Sequence, residues 1–174
     1  MTGTPRLFRA AVAGLTAVLL VLPSACSTTT EGQPSAVTTP LTDRPSSDTT
    51  VARYETLQTE VRHAVSTVAP TVVWEQRREG GRSLCAAGEV GDGGQIVTLP
   101  RWGAPGGIPD EQWPAVVTAV TAVAAPYAFG DLFAVVDRPS DHQIQLRGPY
   151  GATIDLGTAV NVVLTVTTGC HPTS

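Results

Sequence analysis

The 174-residue chain contains no lysine, and all eleven of its basic residues are arginines. That absence excludes Schiff-base chemistry and the lysine of a phosphate-binding loop. Positive charge is scarce as well. The eleven arginines face fifteen Asp and Glu, a formal net charge of −4. Arg6 and Arg9 lie in a leader described below, so the rest of the chain carries nine arginines against fifteen acids, or −6. A chain of that sign is a poor phosphate binder, so nucleic acid is not an expected partner. It also offers no polybasic patch for anionic lipid headgroups. Histidine occurs three times and no two copies stand at metal-ligand spacing, so neither a metal nor another cofactor is expected. Aromatic residues make up 5% of the chain. The N-terminal apolar run, Ala10 to Leu22, is thirteen residues long. A membrane-spanning helix needs about 20.

That run has a different use. It follows "MTGTPRLFR", which carries two arginines and no acid, and it precedes Pro23 and the small residues Ser24 and Ala25. A basic start, a short apolar stretch and a small-residue site make a secretory signal peptide over residues 1–25. The cysteine directly after Ala25 resembles the lipobox of bacterial lipoproteins, in which this cysteine receives the lipid and becomes the mature N-terminus. Pro23 stands where an aliphatic residue is usual, with Leu22 one place early. Cys26 is therefore the expected lipidation site, carrying diacylglycerol and palmitate. This would hold an exported protein on the outer face of the cell membrane. The chain has three cysteines. With Cys26 acylated, Cys85 and Cys170 are free to pair as a disulfide; the alternative is two separate buried thiols.

Residues 26–50 read as a tether. From position 27 onward, twelve of 24 residues are Ser or Thr and three are Pro, with no apolar periodicity. Residues 51–174 suffice for one domain. Within it, Tyr54, Leu57, Val61, Val65 and Val68 predict a helix ended by Pro70, with Asp48, Thr49 or Thr50 as its cap. A second helix is expected from about Asp110, its N-cap, to Ala125, with Trp113, Val116, Val120 and Val123 on one face; a strand is the alternative for this stretch. Strands are expected at Thr71–Arg77, at Gln95–Arg101 and at Leu132–Asp137, the last apolar on both faces and so central. Three alternating strands follow. Their inward residues are Ile144 and Leu146, then Ala152, Ile154 and Leu156, then Val162, Leu164 and Val166. The fold class is α+β: an antiparallel sheet with two helices packed on one face.

The run "RGPYGATIDLGTAVNVVLTVTTGCH" (Arg147 to His171), with "VTLPRW" and "VVDRPSDH", resembles the LppA-type lipoproteins of actinobacteria. The likeness covers roughly residues 50–174 plus the lipobox. It implies an envelope lipoprotein with a compact ectodomain and brings no catalytic residues with it.

The residues themselves hold few candidates for chemistry. His63 lies opposite the apolar stripe of the first helix and reads as solvated. His142 is in phase with an inward strand face, at the core edge, and is the one histidine that could serve an envelope hydrolase. Its neighbour Asp141 points to the other face and could not easily orient it. His171 reads as solvated near the terminus. Asp110 and Glu111 read as first-turn acids. No G-x-S-x-G elbow occurs. "GEVGDGGQ" (88–95) leads into a strand and reads as a turn rather than a phosphate cradle. The stretch "PRWGAPGGIPDEQW" reads as a loop presenting Arg101 and Trp102, with Trp113 behind. These three are candidate binding residues for a glycan or protein partner, unless both indoles cap the core. The leading expectation is a non-enzymatic binding ectodomain. A carrier for lipid or another hydrophobic ligand is the first alternative, and the hydrolase the second.

Overall fold

The computed structural model describes residues 39–86 and 93–173. The signal segment, Cys26, most of the tether and most of the 88–95 turn lie outside them.

Helix α1 runs from Ser47 to Val68. Its stripe is real: Tyr54, Leu57, Val61 and Val65 are at most 3% exposed. The cap lies earlier than expected, because the Ser46 hydroxyl accepts the Thr49 amide and leaves Asp48 as a first-turn acid facing the helix dipole. Upstream, a 3₁₀ turn spans Leu41–Asp43 and buries Leu41. Arg44 is 7% exposed. Its guanidinium donates to the Thr39 carbonyl and to the Cys170 carbonyl at 2.9 Å. Residues 41–50, assigned to the tether on composition, thus belong to the folded domain. A buried arginine and a cap hold them in place, and apolar periodicity registers neither.

Helix α2 spans Trp113–Ala124. It begins three residues after Asp110, with Gln112 as N-cap and Pro114 in the first turn. Trp113, Val116, Val120 and Ala124 form the buried stripe. The helix is rich in Val and Thr, poor helix formers, so its packing against α1 and the sheet must hold it.

Eight strands form one sheet: β1 Glu75–Arg78, β2 Gly81–Leu84, β3 Gly94–Thr98, β4 Arg101–Pro105, β5 Asp131–Arg138, β6 Asp141–Arg147, β7 Thr153–Thr158 and β8 Asn161–Pro172. The order is β1-β4-β8-β7-β6-β5, with β3 also on β8 and β2 on β3. Each of these pairs is antiparallel. The central strand is β8, twelve residues long. One end pairs with β4 through Trp102↔Leu164 and the other with β3 through Ile96↔Cys170. Strand β5, expected to be central, is an edge. It pairs with β6 alone, and Leu132, Phe133 and Val135 are 44%, 41% and 52% exposed. A bulge near Val135 and the Arg147 guanidinium, 4.1 Å above the Phe133 ring, cover this edge.

Further differences lie between residues 71 and 105. Strand β1 starts four residues later than expected, because Val72 and Trp74 pack against the core from coil. The polar, fully exposed β2 shows no apolar pattern from which it could have been read. The expected strand Gln95–Arg101 divides at Leu99–Pro100, and β4 occupies residues that read as loop.

Both helices cover one face, α1 against β8 and β3 and α2 against β6. On that face the eight residues expected to point inward, from Ile144 to Val166, are at most 4% exposed. Each such burial contributes about 1.5–3 kcal/mol for a full Val or Leu side chain. The other face carries no helix among the described residues. Cys85 and Cys170 form a disulfide with a Cα–Cα distance of 5.8 Å. Gly94 makes room for it, since a Cβ there would stand 2.7 and 2.8 Å from the two sulfurs.

Candidate functional site

Strand alternation separates the residues singled out in the sequence. Arg101 and Trp102 are neighbours on β4, so their side chains leave on opposite faces. Trp102 turns toward α1. Its indole N–H donates to Gln58 Oε1 at 3.2 Å, and the Arg62 guanidinium lies 3.7 Å above its ring. Burial pulls the Arg62 guanidinium below its ordinary value. Trp113 is 7% exposed and stacks on His142 at a 5.4 Å centroid distance. The two indoles therefore serve the helix-covered side, as caps of the core. Arg101 alone reaches the open face.

His142 joins two elements. Its Nδ1 lies 2.9 Å from Asp137 on β5, and its Nε2 lies 3.1 Å from Asp110 in the turn before α2. Asp110 also accepts the Ser140 backbone N–H at 2.9 Å. Asp141 plays no part here and pairs with Arg138. Each ring nitrogen thus has a carboxyl group within hydrogen-bonding distance. The arrangement fastens the edge strand to the helix and engages both nitrogens. His63 is exposed, as expected. His171 is not: it is 2% exposed, with Nδ1 near the Pro45 carbonyl and Thr50 Oγ1 and Nε2 at the Thr168 carbonyl. The disulfide and the Arg44 clamp draw this end of the chain inward, which sequence position alone does not reveal.

The open face of the sheet carries a groove of about 490 Å³. Alternation brings Gln143 from β6, Asp155 and Gly157 from β7, Asn161, Val163 and Thr165 from β8, and Arg101 from β4 to its walls. Asp155 accepts from Gln145 Nε2 at 2.9 Å and Thr153 Oγ1 at 3.0 Å. The side chains of Arg101, Gln143, Asn161 and Thr165 make no hydrogen bond or ion pair among the described residues. Four polar groups with unused donors and acceptors thus surround a flat floor of Gly157 and Val163. Sequence reading named only Arg101. The others lie at the polar positions of the three alternating strands, a pattern that marks an outward face without marking a site.

No helix among the described residues is long and apolar enough to cross a membrane. No curated protein matches the chain. Among solved structures, a DUF4853 family protein from Actinomyces odontolyticus is similar at 17% identity and TM-score 0.49, over 79% of this chain and 75% of that one. The structure of a protein assigned as lipoprotein LppA from Mycobacterium tuberculosis is similar at 13% identity and TM-score 0.56, over 76% of this chain and 82% of that one. That second likeness shows a shared fold. Residues 24–173 match the family LppA, described as a lipoprotein confined to pathogenic Mycobacterium, and the chain belongs to that family.

Proposed function

We propose that the chain is exported, acylated at Cys26 and held on the outer face of the cell membrane, where its ectodomain binds an envelope glycan on the open sheet face. The observation that carries this reading is the set of four unpaired polar side chains around an uncovered groove. Planar amide and guanidinium groups such as Gln143, Asn161 and Arg101 can bridge neighbouring sugar hydroxyls. The floor of Gly157 and Val163 offers a flat apolar surface for the C–H face of a ring. The acids Asp141 and Asp155 at the same groove add acceptors and disfavour a strongly anionic ligand. The family's lipoprotein character supports the anchor.

The anchor is tested by Cys26→Ser, which should abolish acylation and release the protein from the membrane fraction; retention would overturn it. The glycan reading is tested by titrating the mature protein with a panel of neutral oligosaccharides while recording amide chemical shifts. Shifts are expected at Gln143, Asn161 and Thr165. Arg101→Ala should weaken binding about tenfold, as loss of a hydrogen bond from a charged donor does. Trp102→Ala, on the opposite face, should destabilise the fold and leave affinity unchanged. No saturable shift on this face with any of the sugars would overturn the reading.

A further inference from the structure

The chain has three tyrosines, and all of them reach one cleft from separate elements. Tyr54 comes from α1, Tyr127 from the 3₁₀ turn Ala125–Tyr127, and Tyr150 from the 3₁₀ turn Pro149–Gly151. With Arg53, Pro149 and His171 they enclose about 130 Å³. This cleft is separate from the sheet-face groove, and the inference stands whether or not that face takes a glycan.

Three observations mark it as built for a ligand. The first is backbone strain. Tyr150 has φ 58° and the neighbouring Ala128 has φ 64°, both in the left-handed region, and both line the cleft. Such conformations persist in bulky L-residues only where the surroundings impose them, and they gather at binding sites. The second is an unused donor. Tyr54 is 3% exposed, and its hydroxyl makes no hydrogen bond among the described residues. Burial pushes this phenol above its ordinary value, with Arg53 pulling the other way and Tyr150 adding to the rise. It keeps its proton, and it lies within electrostatic reach of two cleft residues. The third is charge. Arg53 is the one charged side chain lining the cleft among the described residues. One of its Nη groups donates to the Pro126 carbonyl at 3.0 Å and its guanidinium lies 5.2 Å from the Tyr127 ring, which leaves its other N–H groups. Glu60, outside the lining, accepts the Tyr127 hydroxyl. Both nitrogens of His171 are taken up by Thr50, Pro45 and Thr168. The remaining Arg53 N–H groups and the Tyr54 hydroxyl are thus the available donors, in walls otherwise made of rings, prolines, Thr49, Thr50 and Ala128.

Size then narrows the class. An enclosed apolar cavity of about 150 Å³ accepts benzene, so this open cleft of about 130 Å³ has room for one ring, with a polar substituent left at its mouth. We propose that this cleft binds a small ring-bearing monocarboxylate of benzoate size. The ring lies among the tyrosines and the carboxylate meets Arg53 and the Tyr54 hydroxyl. Both contacts are hydrogen bonds to a charged acceptor, the stronger kind.

The test uses benzoate as probe, titrated into the mature protein and followed by amide chemical shifts and calorimetry. Saturable shifts are expected at Ala128, Tyr150 and His171. Arg53→Gln should weaken binding by about tenfold and Tyr54→Phe by about fivefold. Tyr54→Phe retains the ring packed 5.4 Å from Phe129, and thermal unfolding of the variant checks that the fold is intact. Benzyl alcohol, of the same size without the charge, should bind about tenfold more weakly than benzoate. Absence of saturable shifts at the cleft would overturn the proposal. So would equal affinity for benzyl alcohol, or benzoate binding that survives Arg53→Gln unchanged.

Discussion

Opening the Cys85–Cys170 disulfide should remove a large share of the domain's stability. The bridge closes a loop with a sequence separation of 85 residues. For a loop of that length, the chain-entropy relation gives about 15 cal/mol/K, or about 4.5 kcal/mol at room temperature. Against a total of about 5–15 kcal/mol for a typical domain, that is roughly 30% or more. The native side should add to the loss. The sulfurs sit over Gly94 in a space so close that no side chain fits there, and two separate thiols need more room than one bridge. Cys170 also carries the carbonyl that holds Arg44, so a shift of this strand end would loosen the turn before α1. The assay is urea unfolding of the mature protein, oxidised and reduced, with the double variant Cys85→Ala, Cys170→Ala as a check on thiol chemistry. Both reduced protein and variant should lose about 4–5 kcal/mol, with the midpoint falling in step. A loss below about 1 kcal/mol would refute the reasoning, because the unfolded chain would then gain no freedom from the cut.

Three further outcomes are expected. Replacing His142 by Ala removes its two carboxylate contacts and the ring stacked on Trp113, and should cost about 1–3 kcal/mol, the lower end reflecting the solvent exposure of Asp110 and Asp137; urea unfolding and near-ultraviolet circular dichroism from Trp113 report it. Ser140 has φ 61° and donates only its backbone N–H to Asp110, so Ser140→Gly keeps that bond and should raise stability by about 0.5–1 kcal/mol, measured by thermal unfolding. The Tyr54 and Tyr127 phenols are held above the ordinary value of 10.0, Tyr54 chiefly by burial and Tyr127 by burial and its hydrogen bond to Glu60. The folded state therefore keeps protons that the unfolded chain releases above that value, so stability should fall as pH rises past it, and Tyr54→Phe should flatten the decline.

Much of the fold was legible, and the reasons differ from element to element. Strands β6, β7 and β8 are half-buried antiparallel strands, so their inward residues recur with period two and their ends carry turn residues. Helix α1 has the matching period of a surface helix. Strand β4 was hidden because Gly103 and Pro105 look like loop. In fact Gly103 is small because the Arg77 side chain lies over it, where a Cβ would stand 3.0 Å from Arg77 Cγ. Strand β5 misled in the opposite sense. An apolar run with no alternation fits a central strand, yet here it fits an edge protected by a bulge and an arginine, both long-range features. Contacts such as Asp110 to His142 or Arg44 to Cys170 join residues 32 and 126 positions apart, and no local pattern reports them.

The same period-two rule that read the strands also decides what the candidate residues can do. It separates Asp141 from His142, as the sequence suggested, and it equally separates Arg101 from Trp102. A single contact surface made of that arginine and that indole is therefore not available to this fold. What the rule offers instead is a division of labour across the sheet. Inward positions, with Trp102 and His142, the latter stacked on Trp113 of α2, fasten the helices and the β5 edge. Outward positions, with Arg101, Gln143, Asn161 and Thr165, meet no covering element among the described residues. Substitutions at inward positions should move stability first and binding only through it. Substitutions at outward positions should move binding with the unfolding midpoint unchanged. A variant set alternating along β4 and β6 would separate the two effects residue by residue, and a binding loss that tracked the inward positions would place the ligand against the helices instead.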